Sequence, residues 1–95
     1  MFDFQKLHVY QKAKAFHSSN KELIKTYKVD SVSKNQLSRA SLSIPLNIAE
    51  GAGKFSKPDR KNYYTTARAS LFECVAILEI LKDEKVIGES VYSLS

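Results

Sequence analysis

The chain has 95 residues, of which 43% are apolar and 11% aromatic, and its 15 Lys and Arg outnumber 10 Asp and Glu to give a net charge of +5. This length excludes a multidomain enzyme. A single cysteine excludes a disulfide framework and a cysteine-based zinc site, and no stretch of about 18 uncharged apolar residues is available to cross a membrane. We therefore expect one domain over residues 1–95, in the cytoplasm, without a membrane-spanning segment.

Two long helices are predicted in the first half of the chain. Apolar residues recur at three- and four-residue steps from Val9 to Tyr27, with lysines between them, as in an amphipathic helix of about six turns. After a break, Ser33 and Gln36 have the spacing of a capping box that starts a second helix. Gly51 and Gly53 lower helix propensity there, and Gly53 is a candidate to end the helix in the left-handed conformation.

A third helix has the clearest start in the sequence. Ser56 is a candidate cap and Pro58 falls in the first turn, where its missing N–H is tolerated. The apolar series that follows continues to about Val86, and Gly88 is a plausible end. Residues 89–95 read as the first turns of a fourth helix, and no segment alternates as a strand does. The pattern predicts an all-α fold.

Pro45 lies inside the second predicted helix and removes a backbone hydrogen bond to Ser41. Either the helix breaks there, or it continues with a kink. The apolar stripe stays in phase on both sides of Pro45, which favours the kinked, continuous helix. Asn47 and Glu50 follow within two turns and are candidates to satisfy backbone groups that the kink exposes.

The third helix carries more apolar surface than a small chain can cover. Residues 71–81 are apolar except at Glu73 and Glu79, and exposed patches of this kind usually mark an interface. We therefore expect a homo-oligomer whose interface includes Phe72, Val75 and Ile80. The alternative is that a fourth helix alone covers this face.

Several polar residues fall at positions that a helical hairpin would bring together. If the second and third helices run antiparallel, Arg39 lies beside Glu73, Ser43 beside Arg68, and Glu50 beside Lys61. A buried charge requires a partner, so Arg39 and Glu73 are predicted to form a register-fixing ion pair.

The sequence carries no recognisable catalytic or metal-binding constellation. The stretch around Gly51 and Lys54 lacks residues that a phosphate-binding loop requires, and His8 and His17 are not spaced as a helical metal pair. Cys74 lies on the apolar stripe, where a thiol behaves as a small hydrophobe. We expect neither enzymatic activity nor a cofactor.

Charge is distributed unevenly along the chain. Residues 5–28 carry six lysines and one glutamate, whereas residues 70–95 carry two lysines and five acidic residues. Residues 52–68 carry five cations and one aspartate, beside aromatic side chains suited to base stacking. The predicted nucleic-acid-binding residues are Lys54, Lys57, Arg60, Lys61 and Arg68, with a smaller contribution from the lysines of the first helix.

Two segments resemble a known family. Residues 39–51 (RASLSIPLNIAEG) and 69–73 (ASLFE) are similar to the four-helix bundle proteins encoded inside intervening sequences of bacterial 23S rRNA genes. The similarity extends over nearly the whole chain. It differs at Tyr10, where Trp is frequent, at Cys74, where Leu is common, and in ending where members usually continue through a full fourth helix.

The resemblance implies an antiparallel up-down-up-down four-helix bundle, here with a short fourth helix, that assembles into a ring, commonly a pentamer. Similar pentameric proteins that accompany the reverse transcriptases of diversity-generating retroelements bind nucleic acid through basic surfaces. The leading hypothesis is thus a non-enzymatic oligomeric bundle that binds RNA or DNA weakly. The alternative hypothesis is an assembly scaffold that binds another protein.

Overall fold

The structure, a computed structural model, describes residues 2–94, and of these the side chains of residues 2–92. A short 3₁₀ turn, Asp3–Lys6, precedes four α-helices. Residues 2–94 contain no strand, so the prediction of an all-α fold is confirmed. The helices are α1 (His8–Thr26), α2 (Ser31–Ala52), α3 (Lys57–Asp83) and the short α4 (Glu89–Leu94).

The start of α3 was predicted correctly and the start of α2 was not. Ser56 caps α3 by accepting the backbone N–H of Asp59 at 3.2 Å. In α2 the cap is Asp30, whose carboxylate accepts the N–H of Ser33 at 2.9 Å, so the predicted cap at Ser33 lies inside the helix. The backbone N–H and the hydroxyl of Ser33 lower the pKa of Asp30, since both stabilise its charged form.

Neither α2 nor α3 ends as the glycines suggested. Gly53 closes α2 with φ −85°, so the predicted left-handed stop is wrong. α3 ends at Asp83, earlier than predicted, and Lys85 takes the left-handed conformation with φ 62° instead of Gly88. The N–H of Val86 bonds to the carbonyl of Leu81 at 2.9 Å, as in a Schellman motif, and this bond offsets the strain at Lys85.

α2 continues as a helix through Pro45, which is buried. The side chain of Asn47 donates to the backbone carbonyl of Ser43 at 2.8 Å and to its hydroxyl at 2.9 Å. Asn47 therefore bonds to the carbonyl of Ser43 and not to that of Ser41, the group that Pro45 leaves without its helical donor, so the predicted role of Asn47 at a kink stays a prediction. The carbonyl of Glu50 accepts the N–H of Gly53 at 3.2 Å, whereas its exposed side chain makes no hydrogen bond or ion pair with the part of the chain that the structure describes.

α2 is the central helix of the core. It packs against α1 on one side and α3 on the other, whereas α1 and α3 have no Cα atoms within 8 Å of each other in the described chain. The buried residues that join the three helices are Leu23 and Ile24 of α1, Leu37, Ala40, Ile44 and Ile48 of α2, and Ala67, Cys74, Leu78 and Leu81 of α3.

Close approach between α2 and α3 depends on small residues. A Cβ atom on Gly51 would lie 3.0 Å from Tyr63 Cβ, so a larger side chain there would push the helices apart. One contact across this pair is a hydrogen bond of 2.9 Å from the Ser70 hydroxyl to the Ser43 hydroxyl. Ser43 therefore meets Ser70 instead of the predicted Arg68.

The predicted ion pair between Arg39 and Glu73 is not formed. Both residues line one polar cleft with Ser43 and Ser70, as the hairpin register required. Both side chains are exposed, however, and no ion pair joins them within 4.0 Å in the described residues. Because the cleft opens to solvent, water can hydrate each charge. Neither side chain is buried, so neither requires an ionic partner.

A polar contact that the sequence did not reveal joins α1 to α2. His17 Nδ1 lies 2.8 Å from the hydroxyl of the fully buried Ser41. The Ser41 hydroxyl donates to the carbonyl of Ser38 at 3.3 Å, which leaves its oxygen free to accept from His17. Partial burial, followed by the charge of Lys21, lowers the pKa of His17 because each disfavours the imidazolium.

The lowered pKa of His17 predicts a pH dependence of stability. Because folding lowers the pKa of His17, the unfolded chain binds more protons below about pH 6.5, and the free energy of unfolding falls as the pH is lowered through that value. We expect the thermal midpoint to decrease between about pH 7 and pH 5.5 in the native sequence and to decrease less in His17→Gln. An unchanged pH profile in His17→Gln would contradict this assignment.

Cys74 lies on the face of α3 that packs into the core, and its side chain is fully buried. Burial, with a smaller contribution from Glu73, raises the pKa of its thiol to about 11. At pH 8 we expect the folded chain to react with Ellman's reagent about a hundredfold more slowly than the denatured chain, because little thiolate is present and access is blocked. Rapid labelling of the folded chain would contradict a packing role for this cysteine.

Candidate nucleic-acid interface

A groove lined by cations lies along the first half of α3. It has a volume of about 390 Å³. The cap at Ser56 sets the helical phase, and side chains at steps of three and four residues after it share one face of the helix. The lining residues are Lys57, Arg60, Lys61, Tyr64, Thr65 and Arg68.

Four of the five predicted nucleic-acid-binding residues meet in this groove. Lys57, Lys61 and Arg68 are exposed, and Arg60 is half-buried. Within residues 2–94 none of the four forms an ion pair. Their charges are therefore available to an anion from solvent.

Arg60 also has a structural role. Its Nη1 atom donates to the carbonyl oxygens of Lys54 and Phe55, at 3.0 and 2.8 Å. These bonds tie the α2–α3 loop to the first turn of α3. The guanidinium has five donors, so the remaining ones can still meet a ligand.

Lys54, the fifth predicted residue, does not line the groove. Its ammonium group lies 5.2 Å from the centroid of the Tyr63 ring, a cation–π contact. Phe55 follows on the same loop and is completely exposed, at 101% of its reference area. An exposed aromatic ring between Lys54 and Lys57 is available for stacking on a planar ligand.

Two further aromatic side chains accompany the cations. Tyr64 lines the groove and is 40% exposed, and Arg68 packs on the ring of Phe72 with 5.4 Å between the guanidinium carbon and the ring centroid. The Phe72 contact holds the Arg68 guanidinium at the edge of the groove. Thr65 was missed from the sequence, although its position four residues after Lys61 places it on the same face.

The location of these cations opposes helix stability. The amino end of a helix carries a partial positive charge, so acidic side chains are favoured there and basic ones are disfavoured. Lys57, Arg60 and Lys61 nevertheless lie in the first turns of α3, and the acidic residues of α3 other than Asp59 fall in its second half. Cations at the amino end of a helix, where they reduce its stability, are typical of a functional surface.

The predicted interface residues are exposed but do not share one face. Phe72, Val75 and Ile80 are 59%, 41% and 53% exposed. At about 100° per residue, Val75 and Ile80 lie about 140° apart around α3, with Phe72 between them. A flat contact can include Phe72 with either neighbour, whereas burial of all three requires a partner surface that curves around α3, or two contacts.

Other kinds of site have less support in the described residues. Residues 2–94 contain no cluster of three or more side chains able to hold a metal ion. None of the helices in that range combines the length and the apolarity needed to cross a bilayer.

The comparison with protein families agrees with the resemblance. The family model for the 23S rRNA-intervening sequence protein matches residues 5–94, nearly the whole chain. The chain belongs to this family. Searches among curated proteins and among solved structures gave no match.

The residues that carry the family resemblance have structural roles. In the segment 39–51, Pro45 is buried, Asn47 bonds to the backbone, and Gly51 permits close approach of α3. The cations of the groove fall between the two recognised segments, at 57–68. Family membership therefore accounts for the helical fold and does not by itself assign a ligand to the groove.

Proposed function

We propose that this protein is a non-enzymatic, homo-oligomeric helical bundle of the cytoplasm that binds RNA, or another nucleic acid, weakly and mainly through phosphates. The observation that carries this proposal is the groove of α3, where four unpaired cations and Tyr64 share one face. Lysine and arginine supply contacts to phosphate, and aromatic rings supply stacking that is indifferent to sequence.

The proposed unit is an up-down-up-down four-helix bundle, with α2 kinked at Pro45 and a short fourth helix. Contacts between α2 and α3 support this topology, because Ser43 meets Ser70 whereas Gly51, further along α2, meets Tyr63, earlier on α3. Opposite trends in residue number are what antiparallel helices produce.

We further propose that copies of the chain assemble into a ring, a pentamer by analogy with the assembly that the family resemblance implies. Each subunit of a ring uses two different surfaces, one for each neighbour. Exposed apolar residues on two sides of α3, Val75 with Phe72 and Ile80 with Phe72, are compatible with such an arrangement. A ring would also place several basic grooves together, so that weak contacts add up on one polynucleotide.

Assembly predicts a particle mass several times that of the chain. Light scattering after nuclease treatment is expected to give about five times 10.7 kDa for the native sequence. Phe72→Glu is expected to shift the mass towards 10.7 kDa, because it introduces a charge into both contacts. A native mass of one chain would contradict the assembly.

Binding itself is tested by fluorescence anisotropy with a labelled, structured RNA and, in parallel, a duplex DNA. We expect saturable binding at low salt that weakens steadily as salt is added, because phosphate contacts release counterions. No binding at low salt, or an affinity indifferent to salt, would contradict the proposal.

The second candidate function is a scaffold that binds another protein. It is favoured by Leu42 and Leu46, which are 43% and 53% exposed and lie one turn apart on α2. Affinity purification from cell extract with and without nuclease separates the two functions. A partner protein retained after nuclease, without bound polynucleotide, would favour the scaffold.

A further inference from the structure

A second cavity, with a volume of about 430 Å³, adjoins the basic groove of α3. It lies between the 3₁₀ turn, the end of α2 and the first half of α3. Arg60 and Tyr64 line both spaces, so the two are direct neighbours. Together with these two side chains, the residues that form this aromatic pocket are Phe2, Asp3, Phe4, Leu7, Ala52 and Gly53.

Three aromatic rings line the aromatic pocket. The rings of Phe2 and Phe4 are stacked, with 6.0 Å between their centroids and 12° between their planes. Phe4 in turn packs edge-on against Tyr10, at 5.1 Å between centroids. The third ring is that of Tyr64 on α3, which is 40% exposed, and Phe2 is 73% exposed. The pocket therefore presents ring surface from two distant parts of the chain to solvent.

Hydrogen bonds hold the 3₁₀ turn in the conformation that presents the rings of Phe2 and Phe4. The side-chain oxygen of Gln5 accepts the backbone N–H of Phe2 at 2.9 Å. The side-chain amide of Gln11, on α1, donates to the carbonyl of Gln5 at 2.7 Å. Because the turn is already ordered, a ligand that stacks on these rings loses less free energy in ordering them.

The charges of the aromatic pocket differ from those of the basic groove. Asp3 lines the pocket, is exposed and forms no ion pair within residues 2–94. Ala52 and Gly53 bring the carboxyl end of α2, with its partial negative charge, to the same pocket. A phosphate is therefore favoured among the cations of the basic groove and disfavoured in the aromatic pocket, which suits an uncharged ring.

We propose that the aromatic pocket binds an unpaired nucleobase whose phosphate lies in the basic groove. This inference rests on the proposed RNA binding and specifies its form, a single strand or an unpaired loop. A nucleotide joins a planar, uncharged base to a charged phosphate, and the two adjoining spaces offer rings to the base and cations to the phosphate. In a duplex the bases are paired and stacked on one another, so none is free to enter the pocket.

Asp3 gives the pocket a preference between bases. A carboxylate accepts hydrogen bonds and does not donate them, so it is favoured beside a base that has an amino group on its pairing edge. Cytosine carries such a group, whereas uracil has a carbonyl oxygen in its place, which a carboxylate repels. Of these two bases, which have rings of the same size for stacking, the pocket favours cytosine.

The inference is tested first by comparing a single strand with a duplex. The probe is a fluorescein-labelled, unstructured RNA of about 12 nucleotides, within the range of sites that single-strand-binding proteins cover. Its control is the blunt-ended duplex formed with the complementary strand. At about 150 mM salt, where phosphate contacts are weakened, we expect the full chain to bind the single strand about fivefold or more tightly than the duplex. Equal binding, or tighter binding of the duplex, would overturn the proposal.

Two variants of Phe2 locate the base. Phe2→Leu keeps an apolar side chain but removes the ring, and it is expected to weaken binding of the single strand about fivefold or more and that of the duplex less than about twofold. Phe2→Tyr keeps the ring and is expected to bind the single strand within about twofold of the native chain. Because Phe2 is largely exposed, the fold should survive both changes, which thermal unfolding checks. A loss in Phe2→Tyr as large as that in Phe2→Leu would rule out stacking on this ring.

A variant of Asp3 tests the edge of the base. With single strands of about 12 cytidines or 12 uridines, the native chain is expected to prefer cytidine about threefold or more. In Asp3→Asn the preference is expected to fall below about twofold, because an amide can donate to the uracil carbonyl. Equal affinities of the two strands for the native chain would contradict a base edge at Asp3 and, with it, the proposed site.

The inference and the proposed function fail in different ways. If neither single strand nor duplex binds at low salt, both are wrong. If both RNAs bind with the expected dependence on salt, but Phe2→Leu weakens them equally, RNA binding through the basic groove stands and the base pocket is wrong. If Phe2→Leu instead lowers the particle mass in light scattering, the 3₁₀ turn forms a contact between copies of the chain and the base pocket is again wrong.

Discussion

Replacing Lys57, Lys61 and Arg68 together by alanine is expected to weaken RNA binding at low salt by about a hundredfold, because three phosphate contacts are lost from one groove. The fold should survive the change. All three side chains are exposed, and removal of Lys57 and Lys61 relieves repulsion at the amino end of α3. Anisotropy measures the affinity, and thermal unfolding verifies that the midpoint is not reduced.

A matched triple variant shows whether position matters or only net charge. Lys25, Lys28 and Lys34 are also exposed and lie near the α1–α2 loop, at the opposite end of α2 from the groove. Their replacement by alanine removes the same charge and is expected to weaken binding less than about tenfold. Equal losses in the two triple variants would contradict a localised interface.

The second large effect concerns the core. Leu78→Ala is expected to lower the free energy of unfolding by about 2–5 kcal/mol, because Leu78 is 1% exposed and its truncation leaves a cavity between α3 and the rest of the core. A domain of this size has a total stability of about 5–15 kcal/mol, so the variant should unfold at markedly lower denaturant. Urea unfolding followed by circular dichroism measures the change.

The control for this prediction is the same substitution, leucine to alanine, at an exposed position. Leu46 is 53% exposed on α2, and Leu46→Ala is expected to cost less than about 1 kcal/mol. A loss at Leu46 as large as that at Leu78 would contradict the described core.

Local chemistry explains which helix boundaries the sequence could predict. The start of α3 is specified by Ser56, whose hydroxyl accepts the N–H of Asp59, and by Pro58, whose missing N–H is not needed in the first turn. Both effects act within one turn of the chain. At the start of α2, Asp30 and Ser33 are both good caps, so the pattern alone does not choose between them. The left-handed Lys85 could not be foreseen, because a nearby glycine is the usual residue for that conformation.

The cations of the site were predictable from charge and spacing, whereas the relations between helices were not. Lys57, Lys61 and Arg68 lie on one face of α3, because residues separated by three, four or seven positions are on the same side of any α-helix. The contact of His17 with Ser41 joins residues 24 positions apart, and no local pattern records it. The separation of α1 and α3 by α2 is likewise visible only in the packed structure.

The salt dependence of RNA binding tests the central claim most directly. The association constant of the nuclease-treated native chain for one structured RNA should be measured from about 50 to 200 mM salt, beside the triple variant of Lys57, Lys61 and Arg68. We predict that the logarithm of the constant falls linearly with the logarithm of salt, and that the slope is smaller by about two to three in the variant. A native slope near zero, or the same slope in both proteins, would contradict binding through the groove of α3.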